Sequence, residues 1–110
     1  MKHLGIIGLG RMGTFHATQA SLRPSVTVTA LVDPSIQNCP PTLAPQALRT
    51  TDYRDLLDGS VDAVIVAVPT PHHFQIAKEF LAHGVHVLVE KPMTATVSEA
   101  EHLFDIAART

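Results

Sequence analysis

Residues 61–68 read Val-Asp-Ala-Val-Ile-Val-Ala-Val, and Pro69 ends the run. A strand with a single polar position has no face to offer water, so it must be covered on both sides. That is the pattern of a central strand in a parallel sheet. The rest of the chain agrees, because short β-branched runs alternate with amphipathic stretches at helical spacing. The fold class implied is α/β, a doubly wound parallel sheet.

Further strands are expected over residues 4–8, 26–33, 48–50 and 85–89. A helix is expected over residues 11–22, and another over 52–57 that Asp58-Gly59 ends. Phe74, Ala77, Phe80 and Leu81 recur at helical spacing and stop near His83-Gly84, where the glycine suits a helix C-terminus. Thr96-Val97-Ser98-Glu99 reads as a capping box. Val97, Ala100, Leu103, Phe104 and Ala107 then mark one face of a last helix. Residues 35–46 break the rhythm. Pro40, Pro41 and Pro45 leave a short or irregular crossover instead of a long helix.

Gly8-Leu9-Gly10-Arg11-Met12-Gly13 falls between the first strand and the first helix. Glycines cluster in many turns, so the hexapeptide gains meaning from that placement and from Asp33, which ends the second strand about 20 residues later. Gly8 permits a tight turn, Gly10 lets a pyrophosphate approach the backbone, and Gly13 lets helix and strand pack closely. The free N–H groups where the helix starts, at Arg11 and Met12, would face the phosphates. The competing reading is a tight turn with no ligand. Strand, helix and acid in register favour a dinucleotide, in a Rossmann domain of strand order 3-2-1-4-5. Asp33 would accept from the adenosine ribose hydroxyls, or else serve only as an Asp-Pro turn former. A carboxylate repels a 2′-phosphate, and residues 34–48 hold no Lys or Arg. NAD is therefore expected over NADP, with Arg11 or Arg49 as the residue that could reverse this.

The fifth strand runs straight into Glu90-Lys91-Pro92. On residues alone, this is an acid and a base at a strand end, a working pair or an exposed ion pair. Taken with Gly8 to Gly13, Asp33, Ala67-Val68-Pro69-Thr70-Pro71-His72-His73 and Val87-Leu88-Val89-Glu90-Lys91-Pro92-Met93, the chain resembles the N-terminal half of the glucose–fructose oxidoreductase/inositol dehydrogenase (Gfo/Idh/MocA) family. Within it, the Val-Pro-Thr turn and Val-Leu-Val-Glu-Lys-Pro are similar to nucleotide-sugar 3-dehydrogenases, including those acting on UDP-N-acetylglucosamine. The resemblance implies hydride transfer between a nicotinamide cofactor and a sugar, cyclitol or nucleotide-sugar hydroxyl. It implies Lys91 as the catalytic residue, beside the nicotinamide and the substrate carbon. Glu90 would contact the nicotinamide ribose or hold Lys91. Pro69, Thr70 and His73 would line the cofactor groove, and a cis Lys91–Pro92 bond is open.

The chain departs from the family in two ways. The proline-rich segment replaces the helix that normally follows the ribose-binding acid, which puts the outer wall of the adenine pocket in question. Residues 1–110 also read as the dinucleotide-binding domain by itself, truncated before strand six and lacking the C-terminal substrate domain. Catalysis by the isolated chain is therefore not expected, and self-association through exposed faces is. The alternative is a non-enzymatic NAD-binding or protein-interaction module. A reading frame continuing past Thr110 would separate the two.

Composition bounds the remainder. A net charge of −2 offers no attraction to nucleic acid or an anionic membrane. Cys39 is the sole cysteine, which excludes an internal disulfide and fits a reducing compartment. No signal peptide or membrane-length apolar run is legible, so a cytoplasmic protein is expected. The seven histidines lack paired metal-ligand spacing, and no metal is expected.

Overall fold

Five parallel strands form one sheet in the computed structural model, which describes residues 2–89 and 96–109. They are β1 (Lys2–Ile7), β2 (Val26–Val32), β3 (Leu48–Thr50), β4 (Ala63–Val66) and β5 (His86–Val89), in the order β3-β2-β1-β4-β5. The helices are α1 (Arg11–Ser21), α2 (His73–Ala82) and α3 (Val97–Arg109). The expected order of strands holds. The fourth strand is shorter than its apolar run, because its partners confine the ladder to four residues, Leu4 to Ile7 on one side and His86 to Val89 on the other.

Alternation along the strands builds a core on each face. Ile7, Val64 and Val66 meet Ile76 and Phe80 of α2, whereas Ile6 and Leu31 meet Ala17 of α1. Thr29 is an extra residue in β2, opposite the register shift between Leu4 and Gly5. This bulge lets Val28 and Leu31 face the same side. At the lower end, Asp62 takes the His3 N–H on Oδ2 at 2.8 Å, and that bond holds its carboxyl below the usual range. The Asp62 backbone also pairs with both His3 and His86, which ties β1, β4 and β5 together.

α2 ends as its glycine suggests. Gly84 has φ of 76°, its N–H donates to Leu81 O, and Val85 N–H donates to Phe80 O. That is the Schellman arrangement, with buried Phe80 and Val85 in the same core. Two other segments differ from expectation. Residues 52–57 form a 3-10 turn over Tyr53–Leu56 in place of an α-helix. Five residues between the Asp52 cap and Asp58-Gly59 are too few for α-helical bonds to propagate. On α3 only Leu103 is buried, while Val97 is 75% and Phe104 65% exposed. α3 packs against α2, and a helix–helix seam is narrower than the stripe a sheet would cover.

Where α1 meets β1, a Cβ on Gly13 would stand 1.7 Å from Gly8 O, and one on Gly8 would stand 2.5 Å from Ala67 O. Gly8 also has φ of 93°. No side chain fits at either position, so the start of the helix lies directly on the ends of β1 and β4.

The proline-rich crossover is irregular beyond a 3-10 turn at Ile36–Asn38. Arg49 organises it. Its guanidinium donates to Leu43 O at 2.6 Å, Pro40 O at 3.1 Å, Ala44 O at 3.3 Å and Ala47 O at 3.5 Å. One side chain thus gives donors to Leu43 O and Ala47 O and a second donor to Pro40 O and Ala44 O, which also accept from Leu43 and Ala47 N–H. The segment then lays Ile36, Cys39 and Leu43 over the α1-side core. Arg49→Met is expected to lower unfolding free energy by about 1.5–3 kcal/mol in urea titration. Arg49→Lys should recover less than half, since an ammonium cannot match that fan of acceptors. Wild-type stability in Arg49→Met would refute the role.

Candidate nucleotide-binding site

A cavity of about 770 Å³ opens at the carboxyl ends of β1, β2 and β4. That volume is in the range of small-molecule sites, and the position is the crevice where open α/β sheets take ligands. Ile7 and Val32 form its floor, and the glycine loop contributes Gly8, Gly10, Arg11 and Met12. Asp33, Pro34, Thr51 and Tyr53 stand on the β2–β3 side, with Ala67, Val68, Pro69, His72 and Ile76 on the β4 side.

The three glycines of the loop differ in their surroundings. Gly8 and Gly13 are required by packing, but nothing lies within 4 Å of where a Cβ on Gly10 would be. That open space is what a pyrophosphate would need to reach the backbone. Gly10 is also the N-cap of α1 and offers no side-chain acceptor, and no acidic residue sits in the first turn. The helix therefore carries no counter-charge of its own at its positive end, and the Asp33 carboxylate stands just before the cap, on Leu9 N–H.

Asp33 links the loop to β2. Its Oδ2 accepts from Leu9 N–H at 2.7 Å and its Oδ1 from Ser35 N–H at 2.8 Å. A carboxylate has about four acceptor positions. Among the described residues two are used, by Leu9 and Ser35. The turn-forming bond to Ser35 is thus present, in a side chain that also lines the cavity.

Tyr53, Thr51, Pro34, His72 and Ile76 line the cavity without having been singled out from the sequence. The available signal was position, since Thr51 and Tyr53 follow directly on the end of β3. The Tyr53 hydroxyl donates to Glu79 Oε2, and the Arg54 guanidinium lies 4.9 Å from its ring centre. Burial, followed by the Glu79 bond, pushes the phenol up to about 12. Arg54 is itself held by Asp52 at 3.6 Å and Glu79 at 3.8 Å.

Of the other expected groove residues, Pro69 lines the cavity but Thr70 and His73 do not. His73 is 1% exposed, with Nε2 2.6 Å from Val68 O, and its neighbour His72 takes the lining position. Glu90 and Lys91 lie outside the described residues, as do Pro92 and its preceding peptide bond. Among the described residues no group of three or more His, Cys, Asp or Glu could hold a metal ion, and no helix is long and apolar enough to cross a membrane. A smaller cavity of about 200 Å³ lies at the opposite end of the sheet, by Lys2, Asp62, His83 and His86. It has no glycine loop.

Comparison with known proteins agrees with this geometry. Residues 2–110 match the Gfo/Idh/MocA oxidoreductase family, described by its NAD-binding Rossmann fold. The chain is 34% identical to the rhizopine catabolism protein MocA of Rhizobium meliloti, over 96% of this chain and 34% of that protein. It is 33% identical to UDP-N-acetylglucosamine 3-dehydrogenase of Acidithiobacillus ferrooxidans, over 94% of this chain and 32% of that one. It thus spans about a third of the length of these relatives. GenD2 of gentamicin A biosynthesis, solved in complex with NAD, superposes with a TM-score of 0.90 at 32% identity, covering 98% of this chain and 32% of its own. Scyllo-inositol dehydrogenase of Lactobacillus casei, with NAD(H) and scyllo-inositol bound, gives 0.88 at 26%, covering 99% and 33%. The glycine loop, the strand order and the match over nearly every residue place this chain in the Gfo/Idh/MocA oxidoreductase family, as its NAD-binding Rossmann-fold domain.

Proposed function

We propose that the cavity at the carboxyl ends of β1, β2 and β4 holds NAD(H), and that residues 1–110 form the dinucleotide-binding domain of a dehydrogenase. The substrate class would be a sugar, cyclitol or nucleotide-sugar hydroxyl, as the names of the relatives suggest. The observation that carries this reading is Gly10, an unobstructed glycine at an uncapped helix start, within reach of a carboxylate that lines the same cavity.

The α1 N-terminus would bind the pyrophosphate through backbone N–H groups at Arg11 and Met12. Asp33 would accept from the adenosine ribose hydroxyls. Bound NAD supplies a nicotinamide ring that takes up hydride from the substrate carbon. Lys91, by its family match, would place an ammonium beside the substrate oxygen and stabilise the negative charge that develops there. Glu90 would hold Lys91 or the nicotinamide ribose, while Pro69 and Thr70 shape the turn at that end. The relatives are about three times as long, which favours a substrate pocket built partly by further chain, so that residues 1–110 by themselves would bind cofactor without turning over substrate.

NAD is favoured over NADP for three reasons. Asp33 would repel a 2′-phosphate, Arg49 is committed to four carbonyls, and Arg54 is paired with two carboxylates. Among the described residues Arg11 is the Lys or Arg that lines the cavity. Cytoplasmic location fits the lone, half-buried Cys39. Self-association fits Leu88, 56% exposed on β5, the sheet edge among the described residues.

Calorimetric titration is expected to show NAD binding at least about tenfold tighter than NADP, and Asp33→Ala should weaken NAD by about 10–100-fold. Tighter NADP binding would overturn the preference, and no binding of either would overturn the site. In a chain long enough to turn over substrate, Lys91→Met should lower kcat by about 10²-fold or more; full turnover would remove Lys91 from the reaction.

Tyr53 is the sole tyrosine and there is no tryptophan, so ultraviolet titration reads that one ring. The phenolate band should appear with a midpoint near about 12 instead of 10, and Glu79→Gln should bring it down. The folded state holds this proton more tightly than the unfolded chain does. The associated stability is therefore complete below pH 10 and disappears as pH rises through about 12. A midpoint at the ordinary tyrosine value would contradict the Glu79 bond.

A further inference from the structure

We infer that His73 is a positioning residue, whose imidazole holds the turn between β4 and α2 against the glycine loop and so sets the width of the cavity at its β4 end. The geometry stands by itself; its consequence for cofactor rests on the dinucleotide reading above.

The turn has a bonding problem written into its sequence. Among the described residues the last sheet-like bond of this segment is Ala67 N–H to Ile7 O at 2.8 Å. Beyond it, Val68-Pro69-Thr70-Pro71 changes direction, and a tight turn would normally close with residue 71 donating to the carbonyl of residue 68. Residue 71 is proline and has no N–H. The next donor, His72 N–H, goes to Pro69 O at 3.0 Å instead. His73 Nε2, 2.6 Å from Val68 O, takes the place of the missing donor. A carbonyl only accepts, so Nε2 carries the hydrogen. His73 is buried as the first residue of α2, which fixes the ring to the helix and the turn to the ring.

Val68 is also where the turn touches the glycine loop. A Cβ on Gly8 would meet Ala67 O at 2.5 Å and Val68 Cγ1 at 3.0 Å, and Ala67, Val68 and Pro69 all line the cavity. Movement of the Val68 carbonyl therefore changes the wall opposite Asp33. With ribose at Asp33 and pyrophosphate at Gly10, the nicotinamide half is the part of the cofactor left for that wall.

His73→Phe removes the donor and keeps an aromatic ring of similar size. It should weaken NAD by about tenfold while changing the affinity for ADP, which reaches only the Asp33 and Gly10 end, by less than about twofold. His73→Gln, whose amide can donate near the position of Nε2, should restore most of the NAD-to-ADP ratio. A role in general stability would lower both ligands together, and an unchanged ratio in His73→Phe overturns the inference, as does a His73→Gln no better than His73→Phe. Wild-type protein supplies a test that needs no variant. Nitrogen-15 NMR of the imidazole should show Nε2 protonated; hydrogen on Nδ1 alone overturns the inference. Failure of wild-type protein to bind NAD would instead remove the dinucleotide reading and leave the role of His73 to the NMR result.

Discussion

Helix α1 rests on β1 with Gly13 against the Gly8 carbonyl, and the rest of the upper end of this domain follows from that contact. A single methyl at Gly13 would overlap the carbonyl oxygen, so the helix start can be this close to the sheet only without a side chain. Closeness brings the first turn of α1 over the end of β4 as well, where Gly8 meets Ala67. The backbone N–H groups at Arg11 and Met12 are thereby presented at the point where the sheet order reverses between β1 and β4. What results is a cavity with a polar backbone rim on an apolar floor.

Around that contact the molecule repeatedly uses one side chain to complete what backbone cannot. Asp33 takes an N–H from the glycine loop and another from the turn after β2. Arg49 gathers four carbonyls from a crossover that proline keeps from becoming a helix. His73 supplies the donor that Pro71 lacks. Each sits where proline or glycine has freed the chain from regular structure, and each returns the order that regular structure would have given. Two of the three, Asp33 and His73, brace opposite walls of the same cavity, and Arg49 follows β3 on the Asp33 side.

The strand order and the dinucleotide crevice were legible because they rest on long-range patterns: apolar runs, the spacing of glycines, and an acid at a strand end. Gly84 was legible as a helix stop for a local reason, its positive φ. The remainder depended on tertiary partners. Helical spacing marked one apolar face on α3 but not what covers it; α3 packs against α2, with Leu103 buried and Val97 and Phe104 in solvent. His72 and His73 are adjacent in sequence, and only the phase of α2 decides which points into the core. Tyr53 fell within an expected helix and was not singled out, and the Glu79 carboxylate that its hydroxyl meets is 26 residues away. Arg49 could be suspected of reaching a phosphate from its charge alone, and the carbonyls that occupy it become visible only once the crossover is folded.

The central claim is that the open glycine end of the sheet, and not the smaller cavity at its other end, receives a dinucleotide. Amide chemical-shift mapping during NAD addition tests this most directly. The account predicts saturable shifts at Leu9, Gly10, Arg11, Met12, Ser35 and Thr51, with Lys2, Asp62, His83 and His86 unmoved. Shifts centred on those last four, or none at the glycine loop at saturating NAD, would contradict it.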